Sequence, residues 1–450
     1  MLDEERWEAG CDRAYALVRL LGQPHVWRKR FMHFILLGLG ALAAFVCTFL
    51  SVPIVSRLAA SHGWLDKPDG TRKLHAQATP NIGGIAIVAG CVAGLVYLVW
   101  AQHLLPFQLS LPPIAVGIGA IAMVCTGVYD DIRGLGFKGK FFIQILVAYL
   151  LIHAGYRVDV SVILPVEYAD AYQQALYSIP LTMLWIVGII NAVNLLDGLD
   201  GLAAGVSMIA FAALAVFVGL NGEIGLAVLA IPVAAALAGF LLHNFNPASV
   251  FMGDSGSLLL GYMLAVFSLE ASSLTNSIAG YMAPMVVLGV PVLDTGLSIV
   301  RRAARRKPIF APDADHIHHR LVKRYSVPKA VLMLYSAALL FGTVAVVIPM
   351  VGPVEASILL LLTAVLVCGW LRWLGYTPLK DWRERPAAEE GHDVQEVDAN
   401  EVGVLQDQIL LGSRTVAVSR SAVRVEELPD TPSDGSSGDA SRHVLIVRAN

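Results

Sequence analysis

Long apolar runs alternate along this chain with short polar segments. Eleven runs are nearly free of charge over the length of a bilayer crossing, at about 34–55, 82–101, 112–128, 141–156, 180–197, 202–220, 224–242, 255–270, 278–300, 329–349 and 354–374. A hydrocarbon layer of ~30 Å takes about 20 helical residues to cross. A lone strand in lipid would leave its backbone groups unpaired, and continuous apolarity differs from the alternation of a barrel wall. The pattern therefore predicts an all-α, polytopic integral membrane helical bundle of about 11 transmembrane helices. The shorter runs fit helices that end below the surface or beside a cavity. No internal repeat of the transporter kind is visible.

Composition agrees with this reading. The 450 residues are 56% hydrophobic and 15% charged, with a mean hydropathy of +0.65, whereas a soluble domain carries about 25% charged residues. Loops following the odd-numbered runs hold fifteen Lys and Arg and those following the even-numbered runs hold one, so the odd loops are expected in the cytoplasm. That topology puts residues 1–33 outside despite Arg6, Arg13, Arg19, Arg28, Lys29 and Arg30. One explanation is a natural start nearer Met32, which N-terminal sequencing would test. No cleavable signal peptide is expected. The division predicted is an N-terminal tail, 1–33, a membrane domain, 34–376, and a cytoplasmic tail, 377–450, that is largely disordered from about Arg385. The five cysteines, four of them inside predicted spans, read as small buried hydrophobes rather than disulfides or metal ligands.

On this topology the polar stretches collect on one face. YDDIRGLGFKGK begins where the third run ends, NAVNLLDGLDG ends the fifth, NFNPASVFMGDSGS joins the seventh and eighth, and RRAARRKPIFAPDADHIHHRL joins the ninth and tenth. A single aspartate there is explained by helix capping. Five of them, Asp130, Asp131, Asp197, Asp200 and Asp254, at the ends of three spans, are not. An ionised group near the bilayer centre costs about 2.5–3.5 kcal/mol, so the cluster calls for a cation. At helical spacing Asn191, Asn194, Asp197 and Asp200 form one polar ridge, whose carboxylates and amides suit Mg²⁺ and a nucleotide. Arg72, Lys73, His75, Lys138, Lys140 and the basic residues from Arg301 to Arg320 make the same face attractive to phosphate, although any one of them is explained by topology alone. Asp294 lies inside the ninth run, where an acid is a functional suspect, and its role stays open. Pro80, Gly83 and Gly84 are expected to shape the start of the second span.

Taken together, RKLHAQATPNIGG, YDDIRGLGFKGKFFIQ, NAVNLLDGLDGLAAG, NPASVFMGDSGSLLLG and DADHIHHRL, in that order over about residues 40–375, resemble the loop motifs of the polyprenyl-phosphate N-acetylhexosamine-1-phosphate transferases. They are most similar to the bacterial undecaprenyl-phosphate N-acetylglucosamine branch. The resemblance implies a multi-pass enzyme of the bacterial inner membrane with its active site on the cytoplasmic face. It would move sugar 1-phosphate from a UDP-sugar to undecaprenyl phosphate with Mg²⁺, Mn²⁺ being able to substitute. It also implies Asp254 and Asp197 as metal ligands and Asp130, Asp131, Asp197, Asp200, His318 and His319 as catalytic. Lys73, Lys140, Asn191, Asn194 and Arg320 would bind substrate. Expected partners are the two substrates and the lipid bilayer, with no nucleic acid and with a homodimer as an allowed assembly. HIHHRL resembles the N-acetylglucosamine branch, other UDP-N-acetylhexosamines and UDP-N-acetylmuramyl-pentapeptide being the alternatives.

The chemistry is consistent with this. A phosphomonoester with a second pKa of ~6 is largely dianionic at neutral pH and attacks without prior deprotonation, so anion repulsion is the obstacle and positive charge the remedy. Direct attack is favoured over a covalent aspartyl intermediate. The rival from another class, a transporter or flippase, predicts acids near the midplane rather than at one surface.

Overall fold

The computed structural model describes residues 24–66, 78–110, 112–163, 171–275, 277–304, 316–375, 423–426 and 446–449, the side chains of 24–31, 163, 171–174, 423–426 and 446–449 excepted. All eleven apolar runs fall on helices: α1 (Pro24–His62), α2 (Gly84–Ala101), α3 (Ile114–Arg133), α4 (Phe137–His153), α5 (Ala171–Leu196), α6 (Leu202–Leu220), α7 (Ile224–Asn244), α8 (Gly253–Ser272), the pair α9 (Ile278–Val287) and α10 (Gly289–Ala304), α12 (Val327–Val347) and α13 (Pro353–Trp373), with the short α11 (Ile317–Val322) between the last two groups. Among the described residues nine helices are long and apolar enough to cross a membrane. The 17-residue α4 falls just short of them in length. The chain is an integral membrane protein.

Two expected spans differ from the structure. The fourth helix begins at Phe137 rather than near 141, which places Lys138 and Lys140 in its first turn. The ninth run is not one straight helix, because α9 and α10 meet at an angle of 82°. The break follows from Gly289 and Pro291 at the start of α10: glycine frees the backbone and proline supplies no N–H to the preceding turn. Asp294 therefore sits in the second turn of a new helix, 3% exposed, rather than in mid-span.

Helix α8 is the most enclosed span, with 83% of its apolar window buried. It packs on α2, α3, α5, α6 and α9. Small residues allow these approaches. A β-carbon on Gly261 would stand 2.7 Å from the Ile190 Cα of α5, and one on Gly84 would stand 2.2 Å from the Gly256 nitrogen. Around this axis Phe211, Phe217, Phe240 and Tyr262 are fully buried in the main core. A second core joins Leu196, Leu199 and Leu202 to Ile317, Leu321 and Leu334, fastening α11 and α12 to the end of α5. Of the cysteines expected to be buried, Cys47 and Cys91 are half-buried but Cys125 and Cys368 are exposed on the outer surface of the bundle; these four are free thiols. Cys11 lies outside the described residues.

Residues 1–377 form one compact unit and 378–450 another. In the second, Val423–Glu426 pairs antiparallel with Ile446–Ala449. The rest of the segment expected to be disordered lies outside the described residues.

Candidate active site

Three helix ends meet where the sequence places its acids. Gly127 lets α3 touch the start of α8, since a β-carbon there would lie 2.3 Å from both the Asp254 carbonyl oxygen and the Ser255 nitrogen. The loop before α2 is tied to the same place: the Gly83 and Gly84 N–H groups donate to the carbonyls of Phe251 and Met252, and the Phe251 N–H donates to Pro80. Gly253 adopts φ +69°, the left-handed region that favours glycine, and a β-carbon on it would collide with Asn81 and the Asp131 carboxylate.

Carboxylate oxygens of Asp130, Asp131 and Asp254 lie within 4.8 Å of one another. The Lys140 ammonium, from the first turn of α4, donates to Asp254 Oδ2 at 2.8 Å and to Asp130 Oδ2 at 3.3 Å. Asp131 accepts the backbone N–H of Asp254 at 2.8 Å and of Ser255 at 3.0 Å, so it caps the N-terminus of α8 from a neighbouring helix. Asn194 donates to Asp254 Oδ1 at 3.0 Å and to Ser257 Oγ at 2.8 Å. Three carboxylates against one ammonium leave negative charge over, and hard carboxylate oxygens at this separation fit a divalent cation.

The single polar ridge expected from Asn191 to Asp200 is not formed. The helix α5 ends at Leu196, so the 3.6-residue repeat does not continue through the acids. Asn191 instead donates to Gln144 Oε1 at 2.6 Å and to the Val187 carbonyl. Asp200 accepts from Asn246 Nδ2 at 2.8 Å and from the Ala248 N–H at 3.1 Å, bracing the loop before α8. Asp197, expected as a metal ligand, lies outside the three-acid group. Its carboxyl is pushed up by burial first, then by the charges of Asp254, Asp131 and Asp200, so it stands close enough to feel them.

The histidine motif is organised by the buried Asp294. His316 Nδ1 donates to Asp294 Oδ2 at 3.1 Å, the Ile317 N–H donates to Oδ1 at 2.6 Å, and His318 Nδ1 lies 3.5 Å from Oδ2. A β-carbon on Gly198 would stand 2.8 Å from His318 Nε2, so the loop 197–201 touches the motif, while its Asp197 feels the charges of Asp254 and Asp131. The His319 ring lies tilted against His318 at 4.3 Å and is pushed down to about 4 by burial and then by His318 and His316. Arg320 Nη1 donates to the Gly375 carbonyl at 3.1 Å. Lys73, Arg72, His75 and the basic residues 305–307 lie outside the described residues. Asn81, Ser257, His316 and Asp294 were not assigned roles from sequence. For Ser257 the signal was available, three residues beyond Asp254 on one helix face.

The chain matches the family model described as Glycosyl transferase family 4 over residues 113–272. A probable undecaprenyl-phosphate N-acetylglucosaminyl 1-phosphate transferase of Bacillus subtilis (strain 168) is 37% identical, covering 68% of this chain and 84% of that protein. The decaprenyl-phosphate N-acetylglucosaminephosphotransferase of Mycolicibacterium smegmatis is 35% identical, covering 66% and 79%. A phospho-N-acetylmuramoyl-pentapeptide-transferase of Staphylococcus aureus (strain MSSA476) is 30% identical, covering 68% and 96%.

Proposed function

We infer the activity from one premise: the chain belongs to glycosyl transferase family 4, the polyprenyl-phosphate N-acetylhexosamine-1-phosphate transferases. It is a phosphotransferase that moves N-acetylglucosamine 1-phosphate from UDP-N-acetylglucosamine to undecaprenyl phosphate, the first membrane step of envelope polysaccharide assembly. The observation that carries the reading is the grouping of Asp130, Asp131 and Asp254 around the Lys140 ammonium. We place this end of the bundle at the cytoplasmic side of the bacterial inner membrane, following the basic loops.

An oxygen of the dianionic lipid phosphate bonds to the sugar-bearing phosphorus, the bridging P–O bond breaks, and UMP leaves. Asp130 and Asp254 would hold Mg²⁺, with Asp131 at their side; bound there, the ion supplies charge neutralisation to the diphosphate and the departing UMP. Lys140 offers a fixed ammonium to the same phosphates. Asp131, through the two N–H groups it accepts, and Asn194, through its amide, fix where the Asp254 carboxylate points. Asp130 orients the lipid phosphate and takes any residual proton. The loop 197–201 and the histidine motif flank the acids and receive the nucleotide-sugar.

Membranes carrying the chain, given labelled UDP-N-acetylglucosamine and undecaprenyl phosphate, should yield lipid-linked product and UMP, and neither with EDTA present nor with Asp254→Ala. No product from any UDP-sugar would overturn the reading. The similarity to the pentapeptide transferase supports a second donor, UDP-N-acetylmuramyl-pentapeptide, which the same assay distinguishes.

A further inference from the structure

A groove of about 450 Å³ runs between α2 and α3, within the ~300–1,000 Å³ of small-molecule sites. Its floor is the outer face of α8, with Leu259, Met263, Val266 and Phe267, and Val92 and Ile121 on its rim are 52% and 66% exposed, so it opens toward the surrounding lipid. From Leu259 to Glu270, eleven residues further on, the floor extends ~16 Å along the helix. That is about half of a ~30 Å hydrocarbon layer, the depth of one leaflet.

The lining on α2 and α3 stops at Val88 and Cys125, short of Gly84 and Gly127, where those helices touch the backbone of α8, and Glu270 lies sixteen residues beyond Asp254, ~24 Å along α8 from the acids. At the other end the lining becomes polar. Glu270 faces the groove and accepts the Tyr156 hydroxyl, and the other charge it feels is the Glu223 carboxylate. A carboxylate at the edge of a lipid-facing groove, with a second one near it, suits a cationic headgroup and repels an anionic one.

We propose that this groove holds one acyl chain of a phospholipid from the leaflet opposite the acid cluster, whose headgroup carries a primary ammonium received by Glu270. The site is separate from the transferase chemistry and does not depend on it. The full chain is incorporated in nanodiscs of equal phosphatidylethanolamine and phosphatidylglycerol, and the lipids it retains are counted by native mass spectrometry. The native chain should keep phosphatidylethanolamine over phosphatidylglycerol by about fivefold, the scale of one charge at a membrane surface. Glu270→Gln should abolish the preference, and Val92→Trp, on the exposed rim, should reduce occupancy without unfolding the protein. Equal retention of both lipids by the native chain, an unchanged preference in Glu270→Gln, or unchanged occupancy in Val92→Trp would overturn the proposal. So would a retained prenyl lipid or a second copy of the chain covering the groove.

Discussion

Asp131 is expected to act through α8 rather than on substrate, and Asp131→Asn tests this. The carboxylate accepts two backbone N–H groups, from Asp254 at 2.8 Å and Ser255 at 3.0 Å. Hydrogen bonds to a charged group contribute about 1.5–3 kcal/mol each. Asparagine keeps the shape but turns an NH₂ toward one of these donors, so one bond is lost and the other loses its charge. The net loss is roughly 2–4 kcal/mol in the geometry of Asp254. Carried fully into the transition state, that is about 30- to 1,000-fold in kcat. The assay pairs kcat and KM for labelled UDP-N-acetylglucosamine with the thermal midpoint of the detergent-solubilised protein across pH 6–9. The expectation is a fall in kcat accompanied by a lower midpoint, with the shape of the pH profile retained. A native midpoint together with a reshaped profile would make Asp131 a proton-transfer group and refute the capping argument.

Gly253→Ala should be among the most damaging single-methyl changes. The left-handed φ and the Asn81 oxygen 2.2 Å from the new carbon both oppose it, and product formation should drop to background while Gly117→Ala, with open space around it, leaves activity near native. Arg320→Ala should lower the thermal midpoint, because the bond to the Gly375 carbonyl is lost, and leave KM for the UDP-sugar within about twofold. A tenfold rise in KM at native stability would return Arg320 to the substrate. His319, pushed down to about 4 when folded, binds fewer protons than it does unfolded at ~6.5, so stability is lost as pH falls through that interval. His319→Gln should flatten the dependence of the midpoint on pH between 4 and 6.5, and an unaltered slope would contradict the assignment.

The helices were legible in the sequence because lipid forces apolar runs into that one conformation. The bend at Gly289 was not, since hydropathy is blind to chain direction and Pro291 alone does not reveal whether a helix kinks or breaks. The acids of α3 and α8 were legible as charges at span ends. The polar ridge was not, because helical spacing was carried past Leu196 into a turn. Two of its four members make hydrogen bonds within the fold, Asn191 to Gln144 and Asp200 to the loop before α8. Asp294 illustrates the same limit: its partners, His316 and the Ile317 N–H, are 22 and 23 residues away, and only the fold brings them together.

The acid cluster and the lipid-facing groove have one cause. Gly84, Gly127 and Gly256 let three backbones converge at one end of α8, and that convergence brings Asp130, Asp131 and Asp254 within reach of a single ion. Farther along α8 the residues that face outward between α2 and α3 are large, as Met263 and Phe267 are, and they line an opening rather than admit a neighbouring backbone. The opening so formed lies in the opposite half of the span, at the level of Glu270. A bulkier residue at Gly127 would therefore disturb both features: it would part the carboxylates and also push α3, one wall of the groove, away from α8. Loss of transferase activity and a changed complement of retained lipids should then appear together in Gly127→Val, whereas Val92→Trp should alter only the lipids.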